Sequence, residues 1–276
     1  MTTSFAQHVD LRRLSILRSH FFLALQLCRR EISARYRGSM LGLLWSLLIP
    51  FFMLGIYTFV FGYIFTSKWS GASQTGSIGD YAIILFSGLI TFQLFGDVVS
   101  RSPALVLSSA NYVKKIVFPI QILPLVAIGS ALFNLVVSLI VLVGFMLVLR
   151  HGIPLTILWL PLILVPYCLM VAGISWFLAS LGVYVRDVGQ ILGTIVTAMM
   201  FLSPIFYPVS ALPQRVQTLV LINPVATPVE LARNAIVFGE RPHFTILAIY
   251  CLASIVVCWL GFVWFQKTKK GFADVM

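Results

Sequence analysis

The chain has 276 residues, is 60% hydrophobic and only 10% charged, and carries a formal net charge of +11. Soluble domains carry roughly 25% charged residues, so this composition excludes a water-soluble globular protein and marks an integral membrane protein. The positive excess lies beside apolar runs rather than in a basic domain with exposed aromatics, which argues against nucleic acid and for anionic lipid as its partner.

The opening MTTSFAQHVDLRRL has no uninterrupted apolar core followed by a small-residue site, so no cleavable signal peptide is expected. Over residues 10–32, Leu14, Leu17, Phe21, Leu25, Cys28 and Ile32 recur at steps of three and four. Arg12, Ser15, Ser19, Gln26, Arg30 and Ser33 hold the opposite face. This pattern predicts an amphipathic helix lying in the membrane interface, with a loose basic tail as the alternative. Arg29, Arg30, Arg35 and Arg37 then crowd a hinge, after which Gly38–Ser67 is uncharged. That run exceeds the ~20 residues a bilayer core needs. An arginine at a helix centre costs about 2.5–3.5 kcal/mol, so the four stay outside, and the positive-inside rule puts their side in the cytoplasm.

The first span is predicted over Met40–Phe65. Gly38 and Gly42, four apart, would permit close helix approach. Trp45, Phe52, Phe59 and Tyr63 share one helical face; Gly55, Thr58 and Gly62 share a smaller one, read as the packing side. The aromatics meet lipid, a neighbouring helix or a ligand. Residues 68–79 read as an external loop. A second, shorter apolar run covers Tyr81–Gly96. Asp97 and Arg101 follow, an acid and a base four apart. Residues 98–113, ending in Lys114 and Lys115, read as a short helix at the cytoplasmic face.

Prolines 119 and 124 open a third span reaching Leu149. Residues 150–154 form an external turn, where His151 reads as solvated. The fourth span covers Leu155–Tyr184, with Pro161 and Pro166 early, and Arg186–Asp187 turns the chain inside. The fifth runs from Gly189 to Phe206. Residues 203–242 carry six prolines, too many to span, yet the stretch is too apolar for an ordinary loop. Thr227–Pro228–Val229–Glu230 reads as a capping box and Gly239 as the stop. Two short helices, Pro213–Ile222 and Pro228–Phe238, are expected to dip back into the outer membrane face, which protein or water must then cover. The sixth span is Phe244–Phe265, closed by Lys267, Lys269 and Lys270. This topology places fourteen of the nineteen lysines and arginines inside, with both termini cytoplasmic. It divides the chain into a cytoplasmic segment (1–37), a six-span domain (38–266) and a tail (267–276).

Several chemistries are missing. No charge is expected at mid-span, which disfavours ion-coupled transport. There is no GxxxxGK[ST] loop, HExxH or GxSxG motif, so the chain is not read as an enzyme. Cys28, Cys168, Cys251 and Cys258 show neither metal nor disulfide spacing and read as small hydrophobes.

Five segments taken together carry a resemblance: RYRGSMLGLLWSLLIP (35–50), NYVKKIVFPIQILP (111–124), RDVGQIL (186–192), FLSPIFYP (201–208) and INPVATPVELARNAI (222–236). The chain resembles the membrane subunit of bacterial type-two ABC exporters of cell-surface polysaccharides such as O-antigen, capsule or teichoic acid. The resemblance implies an all-α protein of the bacterial inner membrane whose homodimer encloses a channel. It implies two separate ATPase subunits that bind ATP and Mg, and no cofactor in this chain. Residues 10–32 would flank the lipid's access route. Residues 98–113 would be the coupling helix, with Arg101, Asn111, Tyr112, Lys114 and Lys115 at the ATPase. Residues 204–240 would form the external gate, with Pro213, Pro228, Glu230 and Arg233. Phe206 and Tyr207 would line the channel with Trp45, Phe52, Phe59 and Tyr63. Arg35 and Arg37 would draw the anionic headgroup of a lipid-linked glycan, a role compatible with anchoring the topology. The alternatives are an exporter of a drug or small lipid and a non-transporting scaffold or channel subunit.

Overall fold

The computed structural model describes residues 21–61, 78–109 and 118–275. These residues form helices, turns and short connections, with no strand among them. Helix α1 occupies 21–35, and its Phe21, Phe22 and Leu25 are exposed. A turn follows, then a 3-10 turn Gly42–Leu44 that continues into α2, Trp45–Phe59. The long helices are α3 (Ile78–Leu107), α4 (Leu123–Arg150) and α5 (Leu160–Tyr184). Next come α6 (Val188–Leu202), the short α7 (Gln214–Ile222) and α8 (Ala226–Arg233), and the long α9 (Phe244–Thr268).

Among the described residues, five helical stretches are long and apolar enough to cross a membrane: Gly42–Phe59, Gly79–Leu107, Ile120–Arg150, Leu155–Tyr184 and Phe244–Gly271. The chain is an all-α integral membrane protein. Helix α6 is apolar but has 15 residues, about 22 Å at 1.5 Å per residue, short of a ~30 Å hydrocarbon core.

Lipid supplies no hydrophobic drive between helices, so close approach and small polar contacts hold the bundle. Helix α3 is the central post, with 78% of its apolar window buried. It packs on α2, α4, α5, α6 and α8. Tyr167 of α5 is fully buried and donates to the Thr91 carbonyl at 3.1 Å. Ser102 and Ser175 hydroxyls meet at 2.7 Å. Helices α5 and α9 pack most intimately, because Gly173 and Gly261 let the backbones touch; a Cβ on either would overlap the other helix. Ser180 and Thr268 hydroxyls, 2.7 Å apart, close the same seam.

Four sequence expectations change. Gly38 and Gly42 are not a helix-packing pair: both have positive φ, 89° and 52°, and nothing lies within 4 Å of a Cβ built on either. They make the turn from α1 into α2, a conformation that L side chains rarely adopt. Gly55 also faces open space, so the small face is not the packing side of α2; Leu54 and Ser46 are the buried positions. Residues 98–107 are no separate helix but the last turns of α3. The helix does not stop at Asp97 because Val98, Val99, Ser102 and Val106 keep its inner face packed, and Pro103 fills the space that Gly182 leaves. The Thr227–Glu230 box does not cap α8, which starts at Ala226. The Asn223 side-chain carbonyl accepts from the Val225 N–H at 3.0 Å and turns the chain first.

Other expectations hold. Pro124 sits in the first turn of α4, and Pro161 and Pro166 lie early in the Leu155–Tyr184 stretch. Gly239, at φ 71°, stops a widened turn Asn234–Phe238 that extends α8. Exposed His151 ends α4 in the left-handed region. At that end Arg150 donates to Asp80 at 2.6 Å and to the Val237 carbonyl at 2.9 Å, tying α3, α4 and the segment after α8 together.

Candidate functional site

The basic end of the bundle holds an ion network that joins three helices. Arg35, from the end of α1, reaches Asp97 of α3 at 3.4 Å and the Ser130 hydroxyl of α4 at 3.2 Å. Arg101 pairs with Asp97 at 3.3 Å, one helical turn away, and with Glu31 of α1. Both arginines and Asp97 keep between 23% and 31% of their side-chain surface exposed, so the pairs are half-solvated rather than sealed. Asp97 and Arg101, placed by the sequence beyond the second span, lie inside the apolar stretch Gly79–Leu107. They are tolerated there because each faces an opposite charge, and Arg101 also donates to the Asp97 carbonyl and the Ser130 hydroxyl. Arg101, expected at an ATPase surface, is turned toward α1 and α4. Arg37 is exposed and lines a shallow hollow with Arg29 and Arg30. Asn111, Tyr112, Lys114 and Lys115 lie outside the described residues.

Above this network a cleft opens between α2 and α6, floored by α3. One cavity of about 400 Å³ is lined by Met53, Tyr57, Phe86, Phe92, Val196 and Met200, among others. A second of the same size lies toward the basic end, beside Arg35, Tyr36, Trp45, Asn134 and Ser138. Ile49, Pro50, Gln93 and Ser138 border both, so the two form one path. The cleft walls are little buried: only 11% of the α2 window is buried, and Ile191, Ile195, Phe201 and Leu202 of α6 are exposed.

The aromatic stripe divides. Trp45 borders the lower cavity at its edge, but Phe52 and Phe59, on the same face of α2, are exposed and line neither cavity. Tyr63 lies outside the described residues. Tyr57, Phe86 and Phe92 are the aromatics that the cleft uses, with Tyr57 and Phe86 rings 6.5 Å apart. Phe206 stacks on Phe201 at 5.5 Å and approaches Phe61 at 6.5 Å, near the far end of α2. Tyr207 is half-buried, and its hydroxyl donates to the Phe201 carbonyl at 3.2 Å.

At the far end α7 and α8 form a bent pair. Pro213 precedes α7 and is exposed; Pro228 is buried in the first turn of α8, where a missing N–H costs nothing. Arg233 is buried. It donates to the Ile84 carbonyl of α3 at 3.3 Å and to the Ile205 carbonyl at 3.2 Å. Gly88 makes room for its guanidinium. Burial pulls the Arg233 pKa down to about 10, with Glu230 opposing, so the charge persists at neutral pH. Glu230 is half-buried; burial raises its pKa, against the pull of Arg233 and His243.

Sequence reasoning missed Glu31 and Ser130 as partners of the hinge arginines, and Tyr57, Phe86, Gln93, Asn134 and Ser138 as cleft residues. A signal existed. Gln93, Asp97 and Arg101 recur every four residues, as do Ser130, Asn134 and Ser138, so each set is a polar line along an apolar helix.

Comparison with known proteins agrees with the architecture. The family model described as ABC-2 type transporter matches residues 23–237. The chain is 25% identical over 257 residues, 93% of its length and 95% of the relative's, to the O-antigen export system permease protein RfbA of Klebsiella pneumoniae. It is 26% identical over 259 residues, 91% and 94% of the two chains, to the RfbA of Myxococcus xanthus. It is 24% identical over 254 residues, 88% and 92%, to the polysialic acid transport protein KpsM of Escherichia coli. With the match running from α1 through the segment that follows α8, the chain belongs to the ABC-2 type transporter membrane family.

Proposed function

We propose that this chain is the membrane subunit of an ATP-driven exporter that moves a lipid-linked polysaccharide from the cytoplasmic side across the bacterial inner membrane. The observation that carries this reading is near-full-length similarity to permeases named for O-antigen export and polysialic acid transport. The cleft between α2 and α6 supports it, because its walls are apolar helices left uncovered by the rest of the chain. A second copy facing that side would complete a channel, with the exposed Phe52 and Phe59 turned to the shared space. Six crossings are proposed, with α6 as the fifth and the segment after it finishing the passage. Sugar C–H faces stack on aromatic rings and slide along them, so aromatic walls suit a threading polymer.

ATP and Mg are bound by two copies of a separate ATPase, which meets the basic end of α3 and the residues beyond it, including Asn111, Tyr112, Lys114 and Lys115. The anchor's phosphate is drawn to the arginine-rich hinge. Arg37 and Arg29 stand exposed for it, while Arg35 starts out paired with Asp97. Residues 204–240 act as the external gate, with Arg233 holding α8 against α3.

Proteoliposomes containing the chain and its ATPase test the reading. ATP turnover should rise with a polyprenyl-diphosphate-linked glycan and not with a drug-like amphiphile. The reverse selectivity would favour a drug or small-lipid exporter, and no response to either would favour a scaffold. Arg35→Gln with Arg37→Gln should reduce glycan stimulation; normal assembly with unchanged export would remove the headgroup role.

A further inference from the structure

Two polar lines face each other inside this apolar bundle. On α3 the line runs Gln93, Asp97, Arg101; on α4 it runs Ser130, Asn134, Ser138. Their basic ends are fully used: Asp97, Arg101 and Ser130 are bound to one another or to Arg35. Their inner ends are not. The Gln93 and Asn134 carboxamides and the Ser138 hydroxyl make no hydrogen bond among the described residues. All three border the cavity beside Trp45, and Gln93 and Ser138 also border the cleft above it.

This placement is costly for a merely structural role. Gln93 is the sixteenth residue of the 30-residue α3, near its middle, and it is exposed to the cleft while its helical neighbours Phe92, Leu94 and Phe95 are buried. At bilayer depth an unpaired carboxamide has no lipid partner, so polar groups there face a protein partner, water or a ligand. Three that converge on one cavity, with no use for one another, point to a polar ligand. Two carboxamides and a hydroxyl offer both donors and acceptors, matching sugar hydroxyl and N-acetyl groups. Trp45 of α2 lines the same cavity and brings an aromatic side chain to it. The cavity's ~400 Å³ falls in the range of small-molecule sites.

We infer that Gln93, Asn134 and Ser138 form a sugar subsite within each subunit, which takes the monosaccharide next to the anchor phosphate once the headgroup is at the arginine hinge. This rests on the export reading above. It adds that the subunit itself, and not only a shared channel, recognises the glycan's lipid-proximal residue.

The test uses the full-length chain in nanodiscs and two probes: a polyprenyl diphosphate carrying one N-acetylhexosamine, and the same polyprenyl diphosphate without sugar. The wild type should bind the first at least tenfold more tightly. Gln93→Leu with Asn134→Leu should erase that difference while changing affinity for the bare diphosphate less than twofold. Because these apolar replacements remove unpaired polar groups, thermal stability should hold or rise. Equal wild-type affinity for both probes would overturn the subsite while leaving glycan export standing. So would an unchanged sugar preference in the variant, or a variant that loses both probes together with its stability. Wild-type failure to bind either probe would overturn the export reading and the subsite with it. Ser138→Ala, a smaller change, should lower the sugar preference in part.

Discussion

Asp97 is shared by two arginines from different helices, so its removal tests whether the ion network fastens α1 to the bundle. At 3.4 Å and an effective dielectric near 20, the Arg35–Asp97 attraction is about 5 kcal/mol gross. Most of that is offset, because the partners are a quarter to a third exposed and lose hydration and rotamer freedom on pairing. A net coupling of about 1 kcal/mol remains. Asp97→Ala also strips the partner of Arg101, so the single change should cost about 2 kcal/mol. At 2–4 °C per kcal/mol that is a Tm drop of about 4–8 °C. The assay is a double-mutant cycle of Asp97→Ala and Arg35→Ala, followed by thermal unfolding of the purified protein in low and high salt. The network account predicts that the double variant falls short of additivity by about 1 kcal/mol, with less shortfall at high salt. Additivity within ~0.3 kcal/mol at both salts would show that these charges are neighbours without being a clasp.

Arg233→Ala should be far more damaging, about 3–5 kcal/mol, because it takes a buried donor from the Ile84 and Ile205 carbonyls and the opposing charge from Glu230; loss of folded yield in detergent would register it. Gly261→Val should separate α5 from α9 by forcing a side chain against the Gly173 backbone, with several kcal/mol lost and Tm as the readout; a neutral result would mean the seam is not closed in the membrane. Glu230 has its folded pKa raised by burial, so its charged form costs stability; the penalty is absent in acid and grows as pH rises through the folded pKa. Glu230→Gln should therefore raise Tm at pH 8 and leave it nearly unchanged at pH 4, and equal shifts at both pH values would refute the assignment.

Much of the fold was legible because membrane helices announce themselves. An uncharged run of thirty residues after four arginines can hardly be anything but a span, and prolines in first turns mark helix starts regardless of tertiary context. What escaped was everything decided between helices. Gly38 and Gly42 have the spacing of a packing pair, but spacing says nothing of φ, and both glycines are used for a turn. Gly173 and Gly261 are the true close approach, and nothing local distinguishes them, since the glycine that each needs opposite is 88 residues away. The aromatic stripe of α2 was correctly seen as one face, yet periodicity cannot say which face looks into the protein. The structure sets Tyr57, not Phe52 or Phe59, against Phe86. Asp97 looked terminal because the apolar run ended there; the helix continued because its buried side did not change.

Both ends of the molecule are fastened to the same helix. Arg35 and Arg101 hold Asp97, and Arg233 holds the Ile84 carbonyl, thirteen residues or about 20 Å along α3. A straight helix of packed residues cannot shift one of these points without the other, and Phe86 and Gln93 of the cleft floor lie between them. Helix α3 is further bound to α5 through Ser102, Ser175 and Tyr167, and α5 to α9 through their glycines. These three helices are the most closely packed part of the bundle. Helix α2 has 11% of its window buried and α6 has two buried residues, so the cleft walls carry few contacts that a conformational step must break. Widening the cleft is therefore cheapest by moving its walls over a fixed floor, which leaves the polar line on α3 in place while the path above it changes width.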